Sequence, residues 1–361
     1  MTYDGGVLVL DARSGEVLLD EEREGFLRLN PAGDDRHVLI SATGGFAALD
    51  LASWTEAHGD HGHSWTSAPR MTDFTIAAEE PGHVVVHDGI TTTFDDATGV
   101  ATSYAGAGLA DAIADGQGPE TAVHQAAEAH HGVAVVDGHG NVAMSVGDEV
   151  ARSGLALTTS MGAELAASDA CPGLHGEATA GDTLLFGCED GALILDGTTI
   201  TKVDAPGDYG RIGNQAGHDT SRYVLGDFKV DPDAELERPR RVSVVDTRAG
   251  VLDLVDLPAS YSFRSLGRTP DGDGLVLGAD GVLRRIDMAR AEVVQTVAVT
   301  EPWREPRDWQ QPRPTLAVVG DRAYVTDPAR EEIHVVDLRH SEVVDSLPVP
   351  QTPNEILGVT G

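Results

Sequence analysis

The sequence predicts an all-β protein that folds as a β-propeller. Short β-branched runs, separated by Gly, Asp and Pro turns, recur about every forty to fifty residues, which is the period of four-stranded propeller blades. The 42 glycines fit a chain dense with turns. A run, a turn and a second run, as a hairpin requires, occur at 37–51, 83–96, 133–146, 183–197, 275–287 and 323–338.

The spacing of these hairpins also sets a register for the blades. We place each innermost strand about eight residues before the second strand of its blade. The innermost strands then begin near Leu27, Asp73, His131, His175, Asn214, Arg264, Arg313 and Asn354. The last of these has no strand after it, while residues 5–19 form a strand pair with no innermost strand before it.

Joining the two chain ends in one blade closes the ring and leaves no free sheet edge. This count gives eight blades in a single domain spanning residues 1–361. Seven blades is the alternative, because the third and fifth segments are irregular.

The charge of the chain is strongly negative, with 59 acidic residues against 25 basic ones and a net charge of −34. Such a field repels nucleic acid and anionic membrane surfaces and favours the capture of cations. No apolar run is long enough to span a bilayer, so we expect no membrane insertion. No signal segment is visible at the N-terminus either. We therefore base the expectation of export on the cysteine pair and on the family resemblance described below.

The chain has two cysteines, Cys171 and Cys188, in one predicted hairpin. Their spacing suits a bridge between neighbouring strands, which would contribute about 3 kcal/mol of stability. Two buried free thiols are the alternative. An isolated pair of this kind indicates an oxidising compartment, either the periplasm or the cell exterior.

The register predicts a metal site in the central channel. Side chains at the starts of innermost strands crowd around this channel, and Asp73, His131 and His175 come from three consecutive blades. Zinc accepts His nitrogens and Asp oxygens, with three protein ligands and a water or fourth side chain. His83, before the second strand of its blade, is a further candidate ligand at a different height.

We predict supporting roles for two neighbours of this site. His130 is positioned to replace or support His131, and Glu177 to orient an imidazole by accepting its other N–H. The alternative is that all these polar side chains bind ordered water or cap backbone groups.

A histidine-rich segment, residues 55–71, contains His58, Asp60, His61 and His63 with intervening glycines. Imidazoles and a carboxylate are zinc ligands, and the glycines let the chain wrap around an ion. We predict a flexible loop between the first two blades that serves as an accessory metal site. A solvated loop without metal is the alternative.

Several motifs along the chain resemble the AztD-type zinc metallochaperones. They are HHGVAVV at 130–136, CPGLHGEA at 171–178, LLFGCEDG at 184–191, RIGNQAGHD at 211–219 and AYVTDP at 323–328. The resemblance implies a periplasmic or cell-surface propeller that binds zinc and hands it to the solute-binding protein of an ABC-type zinc importer. It also implies a disulfide between Cys171 and Cys188, a zinc site in the channel and a mobile His-rich loop.

Our prediction is a zinc carrier without catalytic turnover, present as a monomer. The main alternative is a propeller enzyme, such as a lactonase or lyase, with a divalent metal in the same channel. Such an enzyme needs an open coordination position, a pocket of substrate size and a general base. A non-catalytic interaction scaffold is the third possibility. Copper and nickel bind similar nitrogen ligands, so the sequence does not fix the metal.

Overall fold

The computed structural model describes residues 1–59 and 61–361, and shows eight small sheets of three to five strands together with one separate two-stranded hairpin. The innermost strands of neighbouring sheets contact one another around a central channel. The predicted all-β propeller with eight blades is therefore confirmed. Asp60, one of the predicted metal ligands, lies outside the described residues. Within the described part of the chain, no helix has the length and hydropathy to cross a bilayer.

The first strands of the chain belong to the blade that closes the ring, here called the closing blade. They are β1 (Thr2–Tyr3), β2 (Gly6–Leu10) and β3 (Val17–Glu22). Blade 1 contains β4 (Arg28–Pro31), β5 (His37–Ala42), β6 (Gly45–Asp50) and β9 (Arg70–Ala77). A separate hairpin, β7 (Ser53–His58) and β8 (His61–Thr66), lies between β6 and β9 in the chain.

The next three blades are also meanders of antiparallel strands. Blade 2 contains β10 (Pro81–His87), β11 (Ile90–Asp95), β12 (Val100–Ala105) and β13 (Thr121–Gln125), with the helix α1 (Leu109–Ala114) before β13. Blade 3 contains β14 (Ala134–Val136), β15 (Val142–Gly147), β16 (Arg152–Thr158) and β17 (Glu164–Ser168). Blade 4 contains β18 (His175–Ala180), β19 (Thr183–Cys188), β20 (Asp190–Asp196) and β21 (Thr199–Asp204), with β22 (Gly210–Arg211) paired to β20.

The last three blades complete the ring. Blade 5 contains β23 (Gln215–Ala216), β24 (Tyr223–Asp227), β25 (Arg241–Asp246) and β26 (Val251–Asp256). Blade 6 contains β27 (Tyr261–Arg268), β28 (Gly274–Gly278), β29 (Val282–Asp287) and β30 (Glu292–Ala298). Blade 7 contains β31 (Leu316–Val319), β32 (Arg322–Asp327), β33 (Glu332–Asp337) and β34 (Glu342–Pro348).

The two ends of the chain meet in the closing blade. Thr2 N–H donates to the Glu355 carbonyl at 2.9 Å, and Asn354 N–H donates to the Thr2 carbonyl at 2.9 Å. The C-terminal segment therefore lies beside β1, as the register predicted.

The burial of the strands follows from their place in a blade. Every residue of β5 and β6 is buried, because each blade is covered by a neighbouring blade on both faces. The middle strands β5 and β6 therefore do not alternate between buried and exposed residues. The outermost strands, such as β30 and β34, lie at the rim and are mostly exposed.

The predicted register is wrong for blade 2. Asp73 lies on β9, the outermost strand of blade 1, where its side chain is exposed. The innermost strand of blade 2 is β10, the HVVV run, which we had taken as a second strand. The hairpin β7–β8 delays the fourth strand of blade 1, so that β9 falls where an innermost strand was expected. His83, on β10, is therefore the residue that reaches the channel from blade 2.

The predicted position of the His-rich segment is also wrong. It was expected as a loop between the first two blades, but it lies within blade 1, between the third and fourth strands. It is also paired as a hairpin, with His58 opposite His61 and Glu56 opposite His63.

The predicted disulfide is present. Cys171 lies in the segment before β18 and Cys188 ends β19, with their Cα atoms 5.0 Å apart. Both are fully buried in a core shared with Leu174 and Phe186. The bridge therefore fixes the two strands of blade 4 that lie nearest the channel.

Candidate metal centre

Three histidines from consecutive blades converge at one mouth of the channel. His83 lies on β10, His131 just before β14, and His175 begins β18. Their ring centroids are 5.0, 5.1 and 5.2 Å apart, and one possible ligand atom of each lies within 4.8 Å of the others. We call this group the channel triad.

The hydrogen bonds of the triad direct all three Nε2 atoms inward. His83 Nδ1 contacts the Gly132 carbonyl at 2.8 Å, and His175 Nδ1 contacts the Gly213 carbonyl at 2.6 Å. His131 Nδ1 contacts Asp96 Oδ2 at 2.5 Å. A carbonyl or carboxylate oxygen only accepts, so each Nδ1 must carry the proton. In the neutral rings each Nε2 then presents a lone pair, which is the form that binds a metal.

The spacing of two of these nitrogens fits a shared cation. His131 Nε2 and His175 Nε2 are 3.1 Å apart, although neither carries a proton to donate when both rings are neutral. Two nitrogens bound to one tetrahedral zinc at about 2.0–2.1 Å each lie about 3.3 Å apart. The triad therefore matches the donor type and spacing of a three-histidine zinc site with one coordination position left open.

Asp96 supports two members of the triad. Its Oδ2 accepts from His131 Nδ1, and its Oδ1 accepts from the Gly132 N–H at 3.3 Å. The Gly132 carbonyl in turn accepts from His83. Asp96 lies directly after β11, on the blade that also carries His83. The Asp96 carboxylate thus holds the His131 ring directly, and it holds the backbone at Gly132 that orients His83.

Two glycines shape the chain around His175. Gly176 has a φ of +70° and interrupts the regular pairing of β18 with β19. Only a residue without a Cβ adopts this conformation readily. Gly187 lies opposite His175, and a Cβ there would come within 2.0 Å of the Ile212 carbonyl oxygen. The CPGLHGEA and FGC motifs therefore bring the segment before β23 against His175.

Burial lowers the pKa of two triad members. It lowers the pKa of His83 to about 4, with a further contribution from the positive charge of His131 when that ring is protonated. Burial also holds the pKa of His175 well below its ordinary value, with smaller contributions from His83 and His131. Both rings are therefore neutral, and able to bind metal, well below pH 7.

We expect the zinc-free protein to lose stability as the pH falls from about 6.5 to 4. In this window the unfolded chain binds a proton at His83 that the folded chain does not, so the free energy of unfolding decreases with decreasing pH. Urea unfolding at pH 7 and pH 5 measures this change. His83→Gln should show a smaller decrease than wild type, since all other groups are common to both. An equal decrease in both proteins would contradict the assignment.

The remaining predicted site residues lie outside the triad. His130 is buried, with Nδ1 contacting the Glu128 carbonyl at 2.9 Å and Nε2 contacting Ser145 Oγ at 2.8 Å. Both of its nitrogens are thus engaged by groups other than His131, the residue that it was predicted to replace or support. Burial raises the pKa of Glu177 to about 7. Its Oε2 is buried without a hydrogen-bond partner among residues 1–59 and 61–361, and the His175 Nδ1–H is held by Gly213 instead.

The His-rich hairpin forms a second histidine cluster. His58, His61 and His63 lie close enough to share an ion, with His61 Nε2 and His63 Nε2 3.2 Å apart. All three are exposed. The alternation of the strands places them on one face of the hairpin, together with Trp65 and Glu56.

Asp96→Ala is expected to weaken zinc binding by about 10–100-fold, the range for residues that orient metal-binding histidines. Competition titration against a chromogenic chelator measures the change. Asp337→Ala is the matched control, because Asp337 also contacts a histidine, His340, but at an exposed turn. Equal affinity in the Asp96 variant and wild type would show that this carboxylate does not orient the site.

Comparison with known proteins shows similarity to a zinc chaperone along nearly the whole chain. No family model matches the chain. The zinc chaperone AztD of Citrobacter koseri is 27% identical over 367 residues, covering 98% of this chain and 84% of AztD. The chain is similar to AztD over its whole length. The resemblance predicted from the motifs is thus confirmed.

The similarity to AztD extends to the fold. A crystal structure of Citrobacter koseri AztD matches with a TM-score of 0.84 and 24% identity, over 98% of this chain and 95% of that one. Apo AztD from the same organism matches with a TM-score of 0.82. A dihydro-heme d1 dehydrogenase, NirN, matches at 0.59 with 13% identity, over 97% of this chain and 72% of that one. Because an enzyme shares the fold, function must be argued from the site.

Proposed function

We propose that this protein is a zinc-binding metallochaperone that delivers zinc to the solute-binding protein of an ABC-type zinc importer. The channel triad carries the proposal, because its three Nδ1 atoms are held by oxygens and one ligand atom of each ring lies within 4.8 Å of the others. The similarity to AztD, whose name is zinc chaperone, supports it. The disulfide supports a location in the periplasm or at the cell surface.

The exposure of the triad favours a carrier. The His131 side chain is 46% exposed, so a ligand from another protein can reach the open coordination position and then replace His131. Metal then moves by ligand exchange and is never released as a free ion. The net charge of −34 raises the local concentration of cations and suits a partner with a basic face.

One cavity of about 380 Å³ lies apart from the triad. It is lined by residues of blades 2 and 3, including His124, Met144 and Ser145. A metal-dependent lactonase or lyase needs a substrate pocket beside its metal. As a carrier, the zinc-loaded protein is expected to turn over neither lactones nor esters, and measurable turnover lost in His175→Ala would favour the enzyme.

The hairpin cluster serves in our proposal as an accessory site that captures or passes on zinc. The triple variant His58→Ala, His61→Ala, His63→Ala should lower the zinc content from about two ions per chain to about one and leave the tighter site intact. A matched control is Thr55→Ala with Ser64→Ala, which alters the pair on the opposite face of the same hairpin. Loss of the tighter site in the triple variant would reverse the proposed roles of the two clusters.

Transfer is the function to be tested directly. Zinc-loaded protein is mixed with the apo solute-binding protein of the importer, with and without a chelator that traps free zinc. Direct delivery predicts transfer that the chelator does not intercept. Transfer that stops when the chelator is added indicates simple dissociation and would refute the chaperone role.

A further inference from the structure

We propose that Asp227, on a blade that contributes no histidine to the triad, is a positioning residue for the zinc site. It acts on His175 through a single peptide group, and Ser145 acts in the same way on His83. The inference rests on the proposed zinc-binding function. It assigns a role in orienting the metal-binding histidines to two side chains that neither belong to the triad nor contact it directly.

The first step runs from Asp227 to the backbone. Asp227 ends β24, the second strand of blade 5, and is 3% exposed. Its Oδ1 accepts the N–H groups of Gly213 at 2.6 Å and Asn214 at 3.0 Å. These two residues lead directly into β23, the innermost strand of the same blade.

The second step runs through one peptide group. The Asn214 N–H and the Gly213 carbonyl belong to the same peptide, which is planar and trans, so the two groups point in opposite directions. One side of this peptide donates to Asp227, and the other accepts from His175 Nδ1 at 2.6 Å. A rotation of the peptide away from Asp227 therefore moves the acceptor that sets the orientation of His175.

The same arrangement recurs at His83. Its Nδ1 contacts the Gly132 carbonyl, and the N–H of that peptide, from Val133, donates to Ser145 Oγ at 2.9 Å. Ser145 lies on β15, the second strand of blade 3. The propeller repeat thus produces two equivalent chains of hydrogen bonds, each from a second-strand side chain through a peptide to a histidine of the preceding blade.

The two chains differ in charge. Asp227 is a carboxylate, and its nearest cation, Lys229 Nζ, is 4.0 Å away. A hydrogen-bonded chain that ends in an anion polarises the peptide and strengthens the acceptor at Gly213. Carboxylates that bind metal-ligating histidines directly raise the basicity of the ring in the same way. Here the effect reaches His175 through one intervening peptide.

The variants distinguish a loss of zinc affinity caused by misorientation of His175 from one caused by a general loss of stability. Asp227→Ala removes the acceptor, whereas Asp227→Asn keeps an oxygen that can accept the same two N–H groups. Thr326→Val is the control, because Thr326 accepts the Thr315 N–H at 2.9 Å at the equivalent place in blade 7, next to no triad residue. Zinc affinity is measured by chelator competition, and stability of the zinc-free proteins by urea unfolding.

Asp227→Ala is expected to lower zinc affinity about tenfold, at the weak end of the range for residues that orient metal ligands. Asp227→Asn, which keeps the acceptor but loses the charge, should lie between Asp227→Ala and wild type. Thr326→Val should lose stability but keep its affinity. Equal affinity in Asp227→Ala and wild type overturns the inference, as does an Asp227→Asn variant as weak as Asp227→Ala. If Asp227→Ala does not fold, Ser145→Ala supplies the same test at His83.

A second readout needs no metal. In the zinc-free protein the His175 Nδ1–H should give an imidazole resonance protected from exchange, assigned by its absence in His175→Gln. This resonance should lose protection in Asp227→Ala and keep it in Thr326→Val. Unchanged protection in Asp227→Ala overturns the inference. A wild-type protein without tight zinc binding would instead refute the proposed function, while the resonance still reports on Asp227.

Discussion

Replacing His175 with alanine should weaken zinc binding by at least about a hundredfold, more than the loss of a residue that only orients a ligand. The variant removes one of three Nε2 donors and leaves two, and a cation held by two imidazoles is more open to water. His83→Ala and His131→Ala should have effects of similar size. Chelator competition at pH 7 measures all three.

The control for this series is His340→Ala, because His340 is an exposed histidine in an Asp–His pair outside both histidine clusters. Its affinity should equal that of wild type. If His175→Ala and His131→Ala both bind zinc as tightly as wild type, the tight site lies elsewhere in the chain.

Removal of the disulfide should have the second largest effect, on both stability and zinc binding. The double variant Cys171→Ser, Cys188→Ser releases a closed loop and should lower the free energy of unfolding by about 3 kcal/mol. Urea unfolding of the zinc-free proteins measures this loss.

The bridge also affects the site through the backbone. The Cys188 carbonyl accepts the Ile212 N–H at 2.9 Å, and the next residue, Gly213, orients His175. Cys171 lies four residues before His175, in the segment that leads into β18, while Cys188 ends the paired strand β19. We therefore expect about tenfold weaker zinc binding in the double variant. Wild-type protein treated with a reductant provides the matched comparison, and unchanged affinity in both would show that the bridge stabilises the fold alone.

The fold and part of the triad could be predicted from local pattern. Repeated hairpins indicated the propeller, and the ends of the chain indicated how the ring closes. His131 and His175 were found because each lies where the chain leads into an innermost strand. Asp73 was misplaced since an insertion within blade 1 shifted the spacing, and the same error left His83 as a secondary candidate.

The groups that orient the triad could not be found in this way. Gly132 and Gly213 contribute backbone carbonyls, which no side-chain pattern reveals. Asp96 comes from a turn on the neighbouring blade and Asp227 from the second strand of another, so their roles depend on the packing of blades. The one available signal was a carboxylate at the end of a hairpin strand, as in TTTFDD, and this is common in turns.

The structure also changes the account of the His-rich segment. Sequence composition indicated a loop, because glycines separate its histidines. Strand pairing in fact aligns His58, His61 and His63 on one face, so the spacing reflects the two-residue alternation of a β-hairpin.

The central claim is that zinc binds at the channel triad. Anomalous diffraction from zinc-loaded crystals, collected on both sides of the zinc absorption edge, tests it most directly. We predict a peak about 2.0–2.1 Å from the Nε2 atoms of His83, His131 and His175. A peak at the hairpin alone, or none at the channel mouth in zinc-loaded protein, would contradict the account.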